Sequence, residues 1–179
     1  VDLVARIGGD EFTLLLEGVE ERTRASGVAR KILASFDGAF SLHGNDYHIT
    51  PSIGISMFPE DGDNIDLILK NADIAMYKAK ESGRNTVAAY TTSLTIAAAK
   101  RTRIENDLRK ALDNDEFTLV YQPQVDLRNG KLIGAEALLR WNHPTEGLIS
   151  PDTFIPIAED TGLVIPVGEW VLYLSLIHI

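Results

Sequence analysis

The chain has 179 residues, no cysteine, 45% hydrophobic residues and a formal net charge of −9. Without cysteine there is no disulfide framework, thiolate nucleophile or cysteine zinc site, and the hydrophobic fraction is sufficient for a packed core. The acidic balance argues against a nucleic-acid polymer as partner, so an anionic ligand would need a few placed cations or a metal ion.

The first predicted element is a hairpin around residues 6–12, which read Arg-Ile-Gly-Gly-Asp-Glu-Phe. The flanking runs are β-prone, and Gly8 and Gly9 predict a tight turn at which the backbone can approach a ligand closely. Asp10 and Glu11 add two carboxylates, a combination suited to a nucleotide phosphate held through a divalent cation. An ordinary hairpin with a solvated acidic turn is the other interpretation of these residues.

The next segments alternate between helical and strand patterns. Residues 19–37 predict a helix, and the alternation over residues 47–57 predicts a strand in which Gly54 permits a bulge or a close approach. A second helix is expected to begin at a cap formed by Asp63 or Asn64. Its predicted buried stripe consists of Ile65, Leu69, Ala72, Ala75, Met76 and Ala79.

The second helix ends in a basic segment. Gly83 is placed as the residue that follows the C-cap. Lys80 and Arg84 lie where cations stabilise the negative end of the helix dipole, which by itself explains both side chains.

The second half of the chain begins with a different pattern. Residues 92–112 predict a connector helix, followed by a strand over residues 117–126 that a proline ends. An Asn-Gly turn then leads into a second strand over residues 131–141. Glu136 lies among apolar residues of this strand, where an acid needs a metal ion or a partner such as Arg140.

Residues 6–12 resemble the signature hairpin of the GGDEF family, the diguanylate cyclases, which join two GTP molecules into cyclic di-GMP and release pyrophosphate. Residues 50–54 and 71–85 resemble two further blocks of the same family, in the same order. The resemblance implies that Gly8 and Gly9 lie beside the nucleotide and that Lys80 and Arg84 bind the triphosphate. It also implies that Asp10 and Glu11 are ligands of Mg²⁺ or Mn²⁺. Alternatively, Asp10 helps to deprotonate the 3′-hydroxyl of GTP.

Asp2 has two interpretations. Five residues separate it from Gly8, which is the spacing of the aspartate in the family's inhibitory RxxD motif. The arginine of that motif would precede Val1, so the sequence leaves this assignment open. A solvated acid at the start of a strand explains Asp2 equally well.

Residues 121–124, 136–141 and 150–159 resemble the opening of an EAL domain. That family is a TIM-like barrel phosphodiesterase that hydrolyses cyclic di-GMP to the linear dinucleotide pGpG. In such a barrel, acids near the carboxyl ends of strands meet the substrate. The resemblance implies that Glu136 is a metal ligand and that Gln122, Leu138 and Arg140 contact the dinucleotide.

The expected fold class is therefore α/β, in two parts. Residues 1–90 would form part of an α+β, palm-like nucleotidyl-cyclase domain, residues 91–103 a connector helix, and residues 104–173 the first strands and helices of a TIM-like barrel. Both parts are expected to be incomplete. Each would lack some of its family's metal-binding acids, and the barrel part would also lack the general-base lysine. Residues 174–179 resemble a translated sequencing adapter and are expected to be an artefactual tail, with a genuine apolar helix end as the alternative.

The implied function is turnover of cyclic di-GMP in bacterial second-messenger signalling, by a longer homodimeric protein that binds GTP and cyclic di-GMP. The 179-residue chain itself is expected to be inactive. Two other interpretations stay open, a non-catalytic module that binds GTP or cyclic di-GMP and a scaffold that dimerises through the connector helix. The expected location is the cytoplasm, with membrane anchoring only through a missing N-terminal region.

Overall fold

A computed structural model describes residues 2–177, and side chains through residue 175. The chain divides into two compact units, residues 1–98 and 99–179. Within the described range, no helix combines the length and apolarity needed to cross a bilayer. In chain order the elements are β1 (Leu3–Gly8), β2 (Glu11–Leu15), α1 (Arg22–Ala34), β3 (Phe40–Leu42), β4 (Asn45–Tyr47), β5 (Ile53–Ile55), α2 (Ile65–Glu81), β6 (Val87–Ala89), α3 (Thr92–Ala111), β7 (Phe117–Val125), β8 (Leu132–His143), β9 (Gly147–Ile149), α4 (Pro151–Thr161) and α5 (Val164–Ile177).

The first unit contains three small sheets. β1 and β2 form an antiparallel hairpin, β3 and β4 form another, and β5 pairs in parallel with β6. Both helices of the unit pack on the parallel pair, because these short strands are its most apolar and best covered segments. The small core consists of Ala25, Ala29, Ile55 and Met57, against which Val19, Ile53, Val87 and Ala89 pack.

Gly54 lies at the point where α2 comes closest to β5. A Cβ placed on it would lie 2.0 Å from the carbonyl oxygen of Ala72 and 2.3 Å from the backbone nitrogen of Met76. Both neighbours are backbone atoms of a helix, so neither can move aside as a flexible side chain would. Of the two sequence-based alternatives for Gly54, a bulge or a close approach, the structure confirms the close approach.

We expect Gly54→Ala to lower the free energy of unfolding by about 3 kcal/mol, because the added methyl group overpacks a helix–strand contact. Urea unfolding of the wild type and the variant measures this difference. Gly27→Ala is the matched control, since a Cβ at that helical position meets nothing within 4 Å. The control should stabilise α1 by up to about 1 kcal/mol. Equal unfolding midpoints for Gly54→Ala and wild type would contradict the packing argument.

A polar network around Asp61 joins the elements of the first unit. The Arg22 guanidinium donates two hydrogen bonds of 2.8 Å to the Asp61 carboxylate and one of 3.1 Å to the Tyr90 carbonyl. The backbone N–H of Met57 donates to the same carboxylate at 2.7 Å, and the Asn71 amide donates to the Asp61 carbonyl at 2.6 Å. The hydrogen bond with Asp61 raises the pKa of Arg22 above its usual value. The sequence places Asp61 in a turn and does not reveal this role.

The predicted first helix and second strand differ from the structure. The helix predicted over residues 19–37 forms, but it is shorter than predicted, because α1 occupies only Arg22–Ala34. The single strand predicted over residues 47–57 is wrong, because β4 ends at Tyr47 and β5 begins at Ile53. Pro51 has no N–H to donate to a ladder, which explains why pairing does not continue through this segment.

The buried side of α2 is only partly the predicted one. Ala75 and Ala79 are fully buried, whereas Ile65 is 73% exposed and Leu69 is also exposed. Asn71 is buried instead, because its amide belongs to the network around Asp61. The helix cap is resolved in favour of Asn64, whose side chain accepts the Leu67 N–H at 2.9 Å.

The second unit is a three-stranded antiparallel sheet, in the order β7-β8-β9, with helices against it. This open sheet agrees with the expected beginning of a barrel. The predicted connector helix is confirmed as α3, and its second half packs into the core of this unit. The core residues are Ile104, Leu108, Ala111, Phe117, Trp141, Ile149, Phe154, Ile157, Ala158 and Val167.

The predicted β7–β8 hairpin is confirmed, including its turn at Asn129 and Gly130. The Asp126 carbonyl accepts the Gly130 N–H at 2.7 Å, and its carboxylate accepts the Arg128 N–H at 2.8 Å. This second bond lowers the pKa of Asp126. Pro123 does not end β7 as expected but lies within it, which an edge strand tolerates. β9 is not predicted from the sequence.

The predicted domain bounds and the origin of the C-terminal tail stay predictions. α5 continues to Ile177, and the sequence-based statements about Val1 and residues 178–179 fall outside the described residues.

Candidate active-site residues

The β1–β2 turn carries the first group of predicted site residues. Gly8 is the last residue of β1 and pairs with Glu11, so Gly9 and Asp10 form the two-residue turn. Gly9 has a φ of +50°, a conformation that favours glycine. A Cβ at Gly8 or Gly9 would meet no atom within 4 Å, so the space beside both residues is open. Asp10 and Glu11 are exposed at this bare turn.

Arg6 holds the turn, a role that sequence reasoning missed. Its guanidinium donates to the Gly9 carbonyl through Nε at 2.8 Å and through Nη2 at 2.5 Å. The same group lies 5.9 Å from the centre of the Phe12 ring, within the range of a cation–π contact. The first and last residues of the seven-residue motif therefore contact each other across the hairpin, and Arg6 also holds the turn through the Gly9 carbonyl.

Lys80 and Arg84 lie at the C-terminal end of α2. Gly83 has the predicted C′ conformation, with a φ of +103°, and Arg84 continues it with a φ of +58°. The Arg84 backbone N–H donates to the Ala79 carbonyl at 3.2 Å, which closes the helix. Both cationic side chains are exposed. Within residues 2–175, neither side chain forms a hydrogen bond or an ion pair with another residue. They are available to a ligand, and the helix dipole accounts for them equally well.

The hairpin and the end of α2 are not joined by polar contacts of the described side chains. None of the hydrogen bonds or ion pairs of the described side chains joins Gly8, Gly9, Asp10 or Glu11 to α2. The structure thus groups the predicted cyclase residues into an acidic turn and a basic helix end. Asp2 lies apart from both groups, where its carboxylate accepts the Glu17 N–H at 3.4 Å.

The second group of predicted residues shares one face of β7 and β8. Gln122 lies directly opposite Glu136 in the register of the two strands. Because side chains alternate between the faces of a sheet, Leu138 and Arg140 point to the same side as Glu136. All four predicted residues therefore line one surface, called here the even face. The pairs that define it are Thr118 with Arg140, Val120 with Leu138, Gln122 with Glu136, and Gln124 with Gly134.

The opposite face of the hairpin forms the core, and this fixes the orientation of the even face. Trp141 is fully buried, and its ring centre lies 5.8 Å from that of Phe117 and 5.5 Å from that of Phe154. Its indole N–H donates to the Glu116 carboxylate at 2.8 Å. A shift of β8 by one residue would expose Trp141 and bury Arg140, so this packing specifies the register.

His143 is a structural residue at the end of β8. Its Nδ1 accepts the backbone N–H groups of Thr145 at 3.2 Å and Glu146 at 3.1 Å. Its Nε2 therefore carries the proton and donates to the Asp107 carboxylate at 3.1 Å. With both ring nitrogens occupied, His143 is not available as a ligand or a base.

The sequence offers Arg140 as a partner for Glu136, but the structure does not pair the two side chains. Arg140 lies four residues farther along the strand, about 13 Å away at the usual rise, and its guanidinium donates to the Leu139 carbonyl at 2.9 Å instead. Glu136 is exposed on the even face. It does not need a partner to offset burial, and its carboxylate is accessible to a cation.

The donor chemistry at these acids suits a divalent cation, although each group is only part of a ligand set. Carboxylate oxygens are the preferred ligands of Mg²⁺ and Mn²⁺. Within residues 2–177, no group of three or more His, Asp or Glu side chains is arranged to hold a metal ion. Asp10 and Glu11 can supply two ligands at one turn, and Glu136 can supply one on the even face.

Comparisons with known proteins follow the same two-part division. Residues 1–86 match the family described as "Diguanylate cyclase, GGDEF domain", and residues 105–176 match the family described as "EAL domain". Among solved structures, the GGDEF domain of TpbB (or YfiN) from Pseudomonas aeruginosa is 34% identical, with a TM-score of 0.53. That match covers 55% of this chain and 58% of the other.

Two curated relatives match nearly the whole chain. "Bifunctional diguanylate cyclase/cyclic di-GMP phosphodiesterase MucR" of Pseudomonas aeruginosa is 43% identical over 171 residues, which is 96% of this chain and 25% of that protein. "Biofilm architecture maintenance protein MbaA" of Vibrio cholerae is 41% identical over 171 residues, covering 95% of this chain and 22% of that protein. The chain spans about a quarter of the length of these relatives.

Proposed function

Residues 1–86 belong to the GGDEF family and residues 105–176 to the EAL family, and from this we propose that the protein turns over cyclic di-GMP as a bacterial second messenger. The first part would take part in synthesis from two GTP molecules, and the second in hydrolysis to the linear dinucleotide. The observation that carries the proposal is the set of polar residues that both signatures retain in exposed positions. Bifunctional activity is the named property of a relative, MucR, that matches across both parts.

In the cyclase part, the acidic turn and the basic helix end would divide the work on GTP. Gly8 and Gly9 leave open space for the nucleotide, and the contact of Arg6 with Gly9 keeps the turn in one shape. Glu11 would be a metal ligand, and Asp10 would be a second ligand or help to deprotonate the attacking 3′-hydroxyl. Lys80 and Arg84 would bind the triphosphate, Arg84 through its planar fork and Lys80 as a point charge.

In the phosphodiesterase part, the even face would hold cyclic di-GMP. Arg140 would bind a phosphate, Gln122 and Leu138 would contact the dinucleotide, and Glu136 would be a metal ligand. The buried side of the hairpin supports this role, because Trp141 fixes the register that aligns all four side chains.

A divalent cation, Mg²⁺ or Mn²⁺, would neutralise charge that develops on the phosphate and lower the pKa of a bound hydroxyl or water. The whole protein would be a cytoplasmic homodimer in which two GTP-loaded domains face each other. Anchoring to a membrane would depend on segments outside this sequence.

The test is an assay of the longer protein with GTP and, separately, with cyclic di-GMP, each with Mg²⁺ and with Mn²⁺. We expect cyclic di-GMP from GTP and pGpG from cyclic di-GMP. The 179-residue chain, assayed in parallel, should form neither product, because two-metal chemistry needs several converging acids and the described residues bring at most two together.

The outcomes separate the proposal from its rivals. Binding of GTP or cyclic di-GMP by the longer protein without any product would indicate a non-catalytic binding module instead. If the longer protein neither binds nor converts GTP or cyclic di-GMP, the scaffold interpretation would replace the proposal. Product from a monodisperse sample of the 179-residue chain would show that the expected additional ligands are not required.

A further inference from the structure

Two polar residues extend the even face beyond Arg140. Thr118 lies directly opposite Arg140, and Asn142 follows Arg140 by two positions on β8 and so points to the same side. The Asn142 amide donates to the Thr118 hydroxyl oxygen at 3.1 Å, across the strand pair. Both residues are exposed, whereas their neighbours Phe117, Trp141 and His143 are buried. The pair is therefore part of the even face and contributes nothing to the core.

The hydrogen bond between Thr118 and Asn142 leaves a specific set of groups free. The hydroxyl oxygen accepts from one amide N–H, so the hydroxyl proton and the second amide N–H remain available as donors, and the amide oxygen remains available as an acceptor. The backbone around the pair is fixed, since the Asn142 N–H donates to the Glu116 carbonyl at 2.8 Å. The pair thus presents two donors and one acceptor close together, beside the position of Arg140 in the register of the two strands.

This chemistry differs from that of a phosphate site. Phosphate oxygens only accept hydrogen bonds, so a phosphate is satisfied by the Arg140 guanidinium and has no use for the free amide oxygen of Asn142. A ligand that satisfies the free donors and the amide oxygen together must itself carry a donor beside an acceptor. The edge of a nucleobase has this arrangement, and in a dinucleotide the base lies beyond the phosphate and the sugar.

Building on the proposed function, we infer that Thr118 and Asn142 form a base-binding subsite of the even face. They contact the nucleobase whose phosphate is bound by Arg140. The pair determines affinity for the dinucleotide and takes no part in bond cleavage, because its free groups are neutral and lie on the far side of Arg140 from Glu136.

The test uses Thr118→Val and Asn142→Leu in the longer protein, with cyclic di-GMP as the probe. Each change keeps the approximate shape of the side chain and removes the hydrogen-bonding groups. We expect KM for hydrolysis and the dissociation constant of cyclic di-GMP to rise about tenfold, and kcat to stay within about twofold. Asn106→Leu on α3, also exposed, is the matched control and should change neither constant.

Each outcome decides the matter. Unchanged KM and affinity in both variants, with an active wild type, would overturn the subsite and leave the proposed function intact. A loss confined to kcat or to the melting temperature would also overturn it, since it would indicate a catalytic or purely structural role. A wild type that neither binds nor hydrolyses cyclic di-GMP would overturn the subsite together with the proposed function.

Discussion

Glu11→Gln in the longer protein should lower the rate of cyclic di-GMP formation from GTP by about a thousandfold or more. The change replaces the carboxylate that we propose as a metal ligand with a neutral amide of the same size. A metal ion contributes several kcal/mol of charge stabilisation in the transition state, and each 1.36 kcal/mol is a factor of ten in rate. The measurement is product formation under saturating GTP and Mg²⁺, with Mn²⁺ as a second cation.

The structure predicts that this loss leaves the fold unchanged. Glu11 is exposed at a turn that the Arg6–Gly9 contact holds without it. Glu20→Gln is the matched control, because Glu20 is an exposed acid outside the hairpin and its change removes the same charge. The control should retain wild-type activity. Activity near wild type in Glu11→Gln itself would remove Glu11 from the metal site.

The hairpins could be predicted because local rules determine them. The glycine pair at residues 8–9 and the Asn-Gly pair at residues 129–130 each stand between β-prone runs, and both turns form where expected. Alternation along β8 is equally local, so the sequence also predicts that Glu136, Leu138 and Arg140 share a face. Part of the candidate site follows from this alternation alone.

The helix packing could not be predicted in the same way, because distant residues determine it. Periodicity favours Ile65 and Leu69 for the buried side of α2, yet the helix is positioned by its close approach to Gly54 and by Asn71 in the network around Asp61. These contacts join segments that are far apart in sequence. The break between β4 and β5 has a local cause, Pro51, that the alternating pattern conceals.

The assembly of the site is a further step that sequence motifs do not supply. The motifs identify an acidic turn and a basic helix end, but they do not contain the distance between these groups. Among the described side chains, no hydrogen bond or ion pair joins the two groups. The role of Arg6 was missed for a different reason: within the motif it reads as an ordinary strand residue, and only the folded hairpin shows its guanidinium on the Gly9 carbonyl.

The even face leads to the second large expected effect, which concerns Glu136. Between residues 118 and 142, Glu136 supplies the one carboxylate that β7 and β8 place on this face. In the proposed function the surrounding side chains, Gln122, Leu138 and Arg140, would bind the dinucleotide, and none of them can replace an anionic metal ligand. We therefore expect hydrolysis to depend on Glu136 far more than substrate binding does.

In the longer protein, Glu136→Ala should lower the hydrolysis of cyclic di-GMP to pGpG by about a thousandfold or more, because it removes the proposed ligand of a metal ion that would offset charge in the transition state. Stability should be nearly unchanged, since the side chain is exposed and the register is fixed by Trp141 on the other face. The measurement is the rate of pGpG release with Mg²⁺ or Mn²⁺, together with the melting temperature. Glu169→Ala on α5 removes an exposed acid elsewhere in the second unit and should leave the rate unchanged. Cleavage by Glu136→Ala at the wild-type rate would show that this carboxylate is not a ligand of the catalytic metal.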